Sequence, residues 1–224
     1  TYPIFTSGYS GVTVDFKEGA WKNGEYTHQP VKFINFSALN HHSFHCGVTA
    51  SVKNYMGIVD MSCGFQGSTP KGYYNTHFIG LRDLHIPFAQ MMPFRIRKAL
   101  HDYEIGFFNH TGEVLGAFMR DIRFADLNII TAHWVGWGSR TKKEYSAYPR
   151  TVLASRDPVA LDYIACRDVL YPLTKEYAKN QALVNLHNVE DKKGPFYRFL
   201  ESCHKMGVGN IDPGKHSVIG IQKS

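Results

Sequence analysis

Residues 151–166 read TVLASRDPVALDYIAC, and this stretch decides the fold class. Thr151–Ala154 is short and apolar, as is typical of a strand that is buried on both faces. Asp157 and Pro158 then mark a helix start, because aspartate accepts from the free N–H groups of a first turn and proline there loses no hydrogen bond. Apolar residues recur at helical spacing after them, so we expect a helix over Asp157–Leu170.

The same alternation of apolar strand and amphipathic helix continues through the rest of the chain. Asp60–Phe88 is rich in Gly, Pro, Tyr and Ser and is predicted to be a long ordered loop. The pattern predicts an α/β fold, with a largely parallel or mixed sheet flanked by helices, and residues 1–224 as a single domain. The further predicted strands are Val31–Phe36, Leu127–Ala132 and Ser217–Ile221, and the further helices are Cys46–Met56, Glu113–Phe124, Glu176–Leu186 and Pro195–Met206.

Composition excludes several classes of protein. The 224 residues are 43% hydrophobic and carry a net charge of +6, but the basic residues are scattered. No basic run is interleaved with aromatics, so we expect no nucleic-acid binding. No apolar stretch approaches the ~18 residues of a membrane-spanning helix. The motifs GxGxxG, GxxxxGK[ST], GxSxG and HExxH are missing, which disfavours the common dinucleotide, P-loop, serine-hydrolase and zincin chemistries.

The cysteines and the first residue bear on cofactors and compartment. Cys46, Cys63, Cys166 and Cys203 include no CxxC pair, so we expect no cysteine-ligated iron–sulfur cluster. Four cysteines allow two disulfides, but four is also a common number for a reduced protein of this length. The chain begins at Thr1 without a basic and apolar leader, which favours a processed or truncated chain.

Three predicted strands run directly into polar segments, at 40–45 (NHHSFH), 133–138 (HWVGWG) and 155–158 (SRDP). In open α/β sheets, ligands bind outside the carboxyl ends of the strands. If these strands are parallel neighbours, we expect the three segments to converge on one site. His133, Trp134 and Asp157 are therefore candidate ligand-binding residues.

His42 and His45 are candidate metal ligands. They stand three residues apart, so one helical turn would place both imidazoles on the same side. A third ligand from His133 or Asp157 would give an open, water-bearing site for a divalent metal. The alternative is that twelve histidines cluster by chance, and that these two cap the next helix or line a polar cleft.

Two charged residues interrupt apolar helical patterns. Lys53 lies between Val52 and Tyr55, where desolvation would lower its pKa and suit it to act as base, nucleophile or anion anchor. The alternative is a lysine whose ammonium reaches water. Asp162 stands within PVALDYIAC and is either exposed or buried beside a cation or a cluster of backbone N–H groups. We include Asp162 among the candidate ligand-binding residues.

Several segments together resemble the family catalogued as "domain of unknown function 362", and the pieces VTASVKNYMG and DPVALD are the most specific. The family typically has Lys-x-His before the first piece. Here Asn40 stands at the lysine and His42 at the histidine, and Thr131 replaces a residue that is often acidic. The resembling segments are Phe33–Asp60, Asp126–Ser139, Thr151–Cys166 and the tail Gly207–Gly220.

The resemblance implies an α/β fold and a site at the strand ends, without implying one reaction. Many relatives carry a ferredoxin-like cysteine module, which this chain does not have. Some relatives are exported with twin-arginine signals, so an extracytoplasmic location is expected if an export signal was removed from this chain.

Two functional hypotheses follow. The first is a metal-binding enzyme or redox-associated accessory protein, with His42, Lys53 and Asn54 as catalytic candidates. Lys53 and Asn54 would hold a small anionic ligand, while His42 and His45 would bind a metal or move protons. The second is a non-catalytic subunit of a larger assembly, in which the 13 Tyr and 15 Phe contribute to a contact surface with a protein partner.

Overall fold

The computed structural model describes residues 4–6, 8, 11–26, 32–42, 46–58, 93, 96 and 110–220. The N-terminal part forms an antiparallel sheet in the order β1 (Ile4–Thr6), β2 (Thr13–Asp15), β3 (Gly19–Lys22) and β4 (Glu25–Tyr26). Asn23 and Gly24, with φ of 55° and 88°, make the tight turn between β3 and β4, and Asn-Gly suits this turn because both residues tolerate positive φ. The Phe16 ring contacts Phe33 edge-on, with ring centroids 4.8 Å apart.

The larger sheet is mixed. Its strands are β5 (Ile34–His41), β6 (Val48–Thr49), β7 (Leu127–Gly136), β8 (Ser146–Ala147) and β9 (Thr151–Ser155). The order is β6-β5-β7-β8, and β9 pairs with the first half of β7. β5 and β7 run parallel, whereas every other pairing in this sheet is antiparallel. The predicted α/β class with a mixed sheet is confirmed.

The helices follow the predicted pattern with local corrections. The helix predicted over Cys46–Met56 begins only at Ser51, because Val48 and Thr49 pair with β5 instead. The helix predicted over Glu176–Leu186 is broken after Tyr177. The helices are α1 (Ser51–Asn54), α2 (His110–Asp121), α3 (Pro158–Ala165), α4 (Tyr171–Tyr177), α5 (Gln181–Leu186) and α6 (Pro195–Lys205), with a π-helical segment at Cys166–Leu170 and 3-10 turns at Tyr55–Gly57, Lys143–Tyr145 and Pro213–Lys215.

Two strand predictions need correction. Residues 217–220 form no strand, and Val218 and Ile219 are mostly exposed there. The larger sheet is also not buried on both faces. Ile34, Phe36 and Val152 are 54%, 62% and 67% exposed, so one face is apolar and open. The predicted loop Asp60–Phe88 lies outside the described residues.

Asp162 joins α3 to the start of α1. Its side chain is fully buried, and its two oxygens accept hydrogen bonds from the backbone N–H groups of Ser51 at 2.8 Å and Val52 at 2.9 Å. Burial raises the pKa of Asp162 to about 7, while the Ser51 hydroxyl and the two amides act against that shift. Of the two sequence alternatives, the buried carboxylate with a backbone N–H cluster is the one observed.

A buried asparagine network extends from this contact. Asn35 donates to the Ser51 carbonyl and to Asn128 Oδ1, both at 2.9 Å, and Asn54 donates to Asn35 Oδ1 at 2.7 Å. Asn35 and Asn128 face each other across the parallel pair. Because buried polar groups are costly unless they are paired, this network fixes α1 against β5 and β7.

None of the helices in the described part of the chain is long and apolar enough to cross a bilayer. Cys46, Cys166 and Cys203 are buried free thiols, and Cys63 lies outside the described residues.

Asp162→Asn tests the contact between α3 and α1. The amide keeps one acceptor oxygen but turns a donor towards the other backbone N–H, so the free energy of unfolding should fall by about 1–3 kcal/mol. Urea denaturation measures this change. Asp168→Asn is the matched control, since Asp168 is 43% exposed in an ion pair with Arg167, and it should cost less than about 1 kcal/mol.

The raised pKa of Asp162 also predicts how the stability difference between wild type and Asp162→Asn changes with pH. The pKa of Asp162 is about 7 in the folded protein and about 4 for an unfolded aspartate. Between these two pKa values the folded chain holds a proton that the unfolded chain has released. The free energy of unfolding of the wild type therefore falls as the pH rises from about 4 to about 7. The stability gap between wild type and Asp162→Asn should therefore narrow over that range. A gap that widens would mean that the carboxylate is ionised throughout.

Candidate functional site

A wide bulge shapes the carboxyl end of β7. The register passes from Ala38 opposite Thr131 to Asn40 opposite Gly136, so five residue steps of β7 match two of β5. His133 and Trp134 are consequently both exposed, although successive residues of a regular strand face opposite sides. The bulge therefore presents both side chains at the strand end.

Asn40 and Gly136 hold this bulge together. Asn40 Oδ1 accepts from the Gly136 backbone N–H at 2.9 Å. A Cβ on residue 136 would lie 2.1 Å from the Ser139 carbonyl oxygen and 3.0 Å from Asn40 Oδ1, so only glycine fits. Asn40 therefore has a structural role in holding the bulge.

A basic cleft opens beside the bulge. Its volume is about 350 Å³, and three of its lining side chains are cationic while none is a carboxylate. The segment that follows β7 supplies the cations, as the strand-end rule for α/β sheets leads one to expect. The lining residues are Asn40, Trp134, Gly136, Ser139, Arg140, Thr141, Lys142, Lys143 and Ser146.

Arg140 acts electrostatically on two further basic groups. Burial lowers the pKa of Lys53, Cys46 acts against that shift, and the positive charge of Arg140 adds to it. Burial also lowers the pKa of His41, again with Arg140 acting in the same direction. Within the described residues, neither Lys53 nor Arg140 takes part in an ion pair. Arg140 therefore acts electrostatically on Lys53 and His41, and the described residues hold no carboxylate in an ion pair with Arg140 or Lys53.

An aromatic cleft of about 680 Å³ adjoins the basic one and shares Ser139 and Lys142 with it. The Trp137 ring stacks on Tyr177 with centroids 6.0 Å apart and meets Tyr145 edge-on at 5.4 Å. The two adjoining clefts together present cationic and apolar surface.

A buried hydrogen-bonded chain leads from His41 into the core. His41 Nδ1 lies 3.0 Å from His187 Nε2, and His187 Nδ1 lies 2.7 Å from Thr174 Oγ1. Thr174 donates to the Leu170 carbonyl at 2.8 Å, at the end of the π-helical segment. Burial lowers the pKa of the fully buried His187 to about 3, and His41 beside it acts in the same direction. π-helical turns occur frequently at functional sites.

A family model described as Domain of unknown function (DUF362) matches residues 12–167, more than two thirds of the chain. The chain belongs to this family. No curated protein and no solved structure matches it. In this DUF362 protein the two most specific motifs contact each other, because Asp162 of DPVALD accepts from the amides of Ser51 and Val52 in VTASVKNYMG. The two motifs are therefore held together by hydrogen bonds from α1 to Asp162.

The expectation that all three polar segments converge is wrong for the third. β9 runs antiparallel to β7, so Ser155 pairs with Asn128 near the start of that strand. Asn35 of β5 lies at that level, and seven residue steps separate it from His42, which is roughly 20 Å of extended chain. Asp157 instead caps α3 by accepting from Ala160 N–H at 2.8 Å, as predicted. It also lines a separate cleft of about 480 Å³ with Lys215 and His216.

The other candidates of this DUF362 protein take different positions. Asn54 donates to Asn35 and to the Phe36 carbonyl, so its amide is used to hold α1. His133 bonds to the Tyr148 hydroxyl, and Trp134 packs on the Tyr148 ring with centroids 4.5 Å apart. The predicted catalytic and ligand roles of these residues stay predictions.

The metal prediction rests on a pair that is only half described. His42 is buried and its backbone N–H donates to the Gly47 carbonyl at 2.8 Å, while His45 lies outside the described residues. Within the residues that the structure describes, no three or more His, Cys, Asp or Glu side chains are grouped to hold a metal ion. A divalent metal at His42 and His45 stays a prediction.

Gly136→Ala tests the bulge. The added methyl group would press on the Ser139 carbonyl and on Asn40, so the free energy of unfolding should fall by about 1–3 kcal/mol or more. Gly57→Ala is the control, because a Cβ there meets nothing within 4 Å. Thermal unfolding of both variants gives the comparison. Equal melting temperatures would show that the bulge relaxes freely.

Proposed function

We propose that this protein binds a small anionic ligand in the basic cleft at the carboxyl ends of β5 and β7. The observation that carries the proposal is the lining of that cleft, which contains Arg140, Lys142 and Lys143 and no carboxylate. The guanidinium of Arg140 can bind a planar or tetrahedral oxyanion by donating two parallel hydrogen bonds to it. The ammonium of Lys142 lies 6.0 Å from the Tyr145 ring centroid, at the border with the aromatic cleft.

An anion would also relieve the repulsion among the basic groups. Arg140 lowers the pKa values of Lys53 and His41, so a bound negative charge would raise both again. Lys53 would act in this arrangement as an anion anchor for the ligand.

Arg140→Gln should weaken binding of inorganic phosphate by about tenfold or more, because a charge-assisted hydrogen bond is lost. Isothermal titration calorimetry at low ionic strength measures the effect, since salt screens such contacts. The matched control is Lys22→Gln, which removes one positive charge from an exposed site on β3. It should leave the affinity within about twofold. The same loss in both variants would show that only net charge matters.

Lys53→Met provides a second comparison. The methylene stem is retained, so the melting temperature should stay close to that of wild type while phosphate binding weakens. A large loss of stability with intact binding would give Lys53 a structural role instead. Elemental analysis of the purified protein tests the separate prediction of a metal at His42 and His45.

A second candidate function is that of a non-catalytic subunit in a larger assembly. The observation that favours it is the open apolar face of the larger sheet, where Ile34, Phe36 and Val152 are all more than half exposed. Contiguous apolar surface of this kind marks interaction sites in many proteins.

Native mass measurement tests this second function. The wild-type chain should behave as an oligomer or retain a partner, and Phe36→Lys should release single chains. Ile219→Lys, at a residue 89% exposed in the C-terminal tail, is the control and should change nothing. A wild-type chain that is monomeric and purifies alone would contradict the subunit function.

A further inference from the structure

The segment between β7 and β8 forms a border that the basic cleft and the aromatic cleft share. Ser139 and Lys142 line both clefts. Backbone hydrogen bonds close the segment, since the Gly138 N–H donates to the Tyr145 carbonyl at 3.2 Å and the Tyr145 N–H donates to the Lys142 carbonyl at 3.1 Å. The two clefts are therefore neighbours across one short loop that is hydrogen-bonded to itself.

The wall of the aromatic cleft is built on a buried tryptophan. Trp137 is only 8% exposed, whereas Tyr145 and Tyr177 beside it are 40% and 48% exposed. Because both tyrosine rings contact the Trp137 ring, each is held on one side while part of its surface remains accessible. A Cβ at Gly138 would lie 3.1 Å from Tyr145 Cδ1 and 3.5 Å from Leu183 Cδ2, so both side chains pack closely around that glycine. The cleft thus has a preformed apolar surface that runs from the end of β7 to α5.

Cations border this apolar surface, and none of the described residues that line the two clefts is a carboxylate. The basic cleft contains Arg140, Lys142 and Lys143, and the aromatic cleft adds Lys179. The Lys142 ammonium lies 6.0 Å from the Tyr145 ring centroid, so a cation stands where the two clefts meet. An anion bound to that ammonium would have aromatic surface close by, and a ligand that reached both clefts would need no long linker.

The sizes of the clefts also bear on the ligand. The aromatic cleft, at about 680 Å³, has nearly twice the volume of the basic cleft at about 350 Å³, and each falls within the roughly 300–1,000 Å³ of small-ligand sites. A bare tetrahedral oxyanion in the basic cleft would leave the tyrosine rings in water. A ring attached to the oxyanion would remove that apolar surface from water and gain edge-on or offset contacts with the tyrosine rings.

We propose that the ligand spans both clefts, with an oxyanion in the basic cleft and an aromatic ring attached to it in the aromatic cleft. The inference rests on the proposed anion binding and adds the ligand class, which is an aryl oxyanion such as an aryl phosphate. Arg140 and Lys142 hold the charged end of this ligand, and Tyr145 and Tyr177 contact its ring. The cations set the affinity for every such anion, and the ring surface sets the preference among them.

Phosphate monoesters separate the contribution of the ring from that of the anion. Calorimetric titration of wild type at low ionic strength compares methyl, cyclohexyl and phenyl phosphate. Phenyl phosphate should bind about tenfold or more tighter than methyl phosphate, because its ring is removed from water. It should also bind tighter than cyclohexyl phosphate, because only an aromatic ring gains the ring–ring contacts. Equal affinities for methyl and phenyl phosphate would overturn the inference, and equal affinities for cyclohexyl and phenyl phosphate would overturn the aromatic class.

Tyr177→Ala tests where the ring lies. Tyr177 is the last residue of α4, and its removal should bring the affinity for phenyl phosphate close to that for methyl phosphate, whose own affinity should not change. Tyr171→Ala on the same helix is the matched control, since Tyr171 lines neither cleft, and it should keep the full preference. Melting temperatures check that both variants are folded. A preference that survives in Tyr177→Ala would overturn the placement of the ring.

A measurement on wild type gives the same placement without any substitution. Nuclear Overhauser contacts should join the phenyl protons of bound phenyl phosphate to the ring protons of Tyr177. Contacts to other aromatic residues alone would contradict the placement of the ring.

Failure of the inference and failure of the proposed function give different results. Arg140→Gln should weaken methyl and phenyl phosphate by the same factor, because both carry the charged group, and loss of phenyl phosphate binding alone would overturn this division of roles. Binding of none of the three esters by the folded wild-type protein overturns the proposed function, and the inference falls with it. Binding of all three with equal affinity overturns the inference alone.

Discussion

The two hydrogen bonds from α1 to Asp162 are the contact on which the rest of the arrangement depends. A helix of four residues has no independent stability, so the direction of α1 is set by what receives its first N–H groups. A buried carboxylate from α3 receives two of them. Lys53 follows directly in α1, so its place in the fold depends on an aspartate 109 residues further along the chain.

The sequence was sufficient to predict local features such as helix caps and turns, but it was not sufficient to predict the direction of the strands. Asp157 and Pro158 predicted the start of α3, because capping involves only neighbours along the chain. Asn23-Gly24 carried an equally local turn signal that would have located the N-terminal sheet. The apolar residues of β9, by contrast, suit a parallel or an antiparallel strand alike. The predicted convergence of three segments failed at that point, while the two parallel strand ends did meet.

The site shows the same division between local and long-range information. Arg140 follows the end of β7, so the rule that ligands bind at the carboxyl ends of strands could have predicted it as a site residue. The bulge in β7 depends on which residues of β5 lie opposite it, and His187 is 146 residues from the His41 ring that it contacts. Burial of Asp162 was likewise undecidable locally, since its helix is apolar nearly all round and only the packing of α1 gives the carboxylate its donors.

The mixed sheet also sets an order of assembly. Asn128 is 27 residues from its partner Ser155 but 93 residues from Asn35. Closing the longer loop costs about 1 kcal/mol more in chain entropy, and non-local pairings are slow to form. We expect β7 and β9 to pair first and β5 to dock afterwards. The bulge, the basic cleft and the contact between His41 and His187 all need β5, so we expect these three features to form together in the last step of folding.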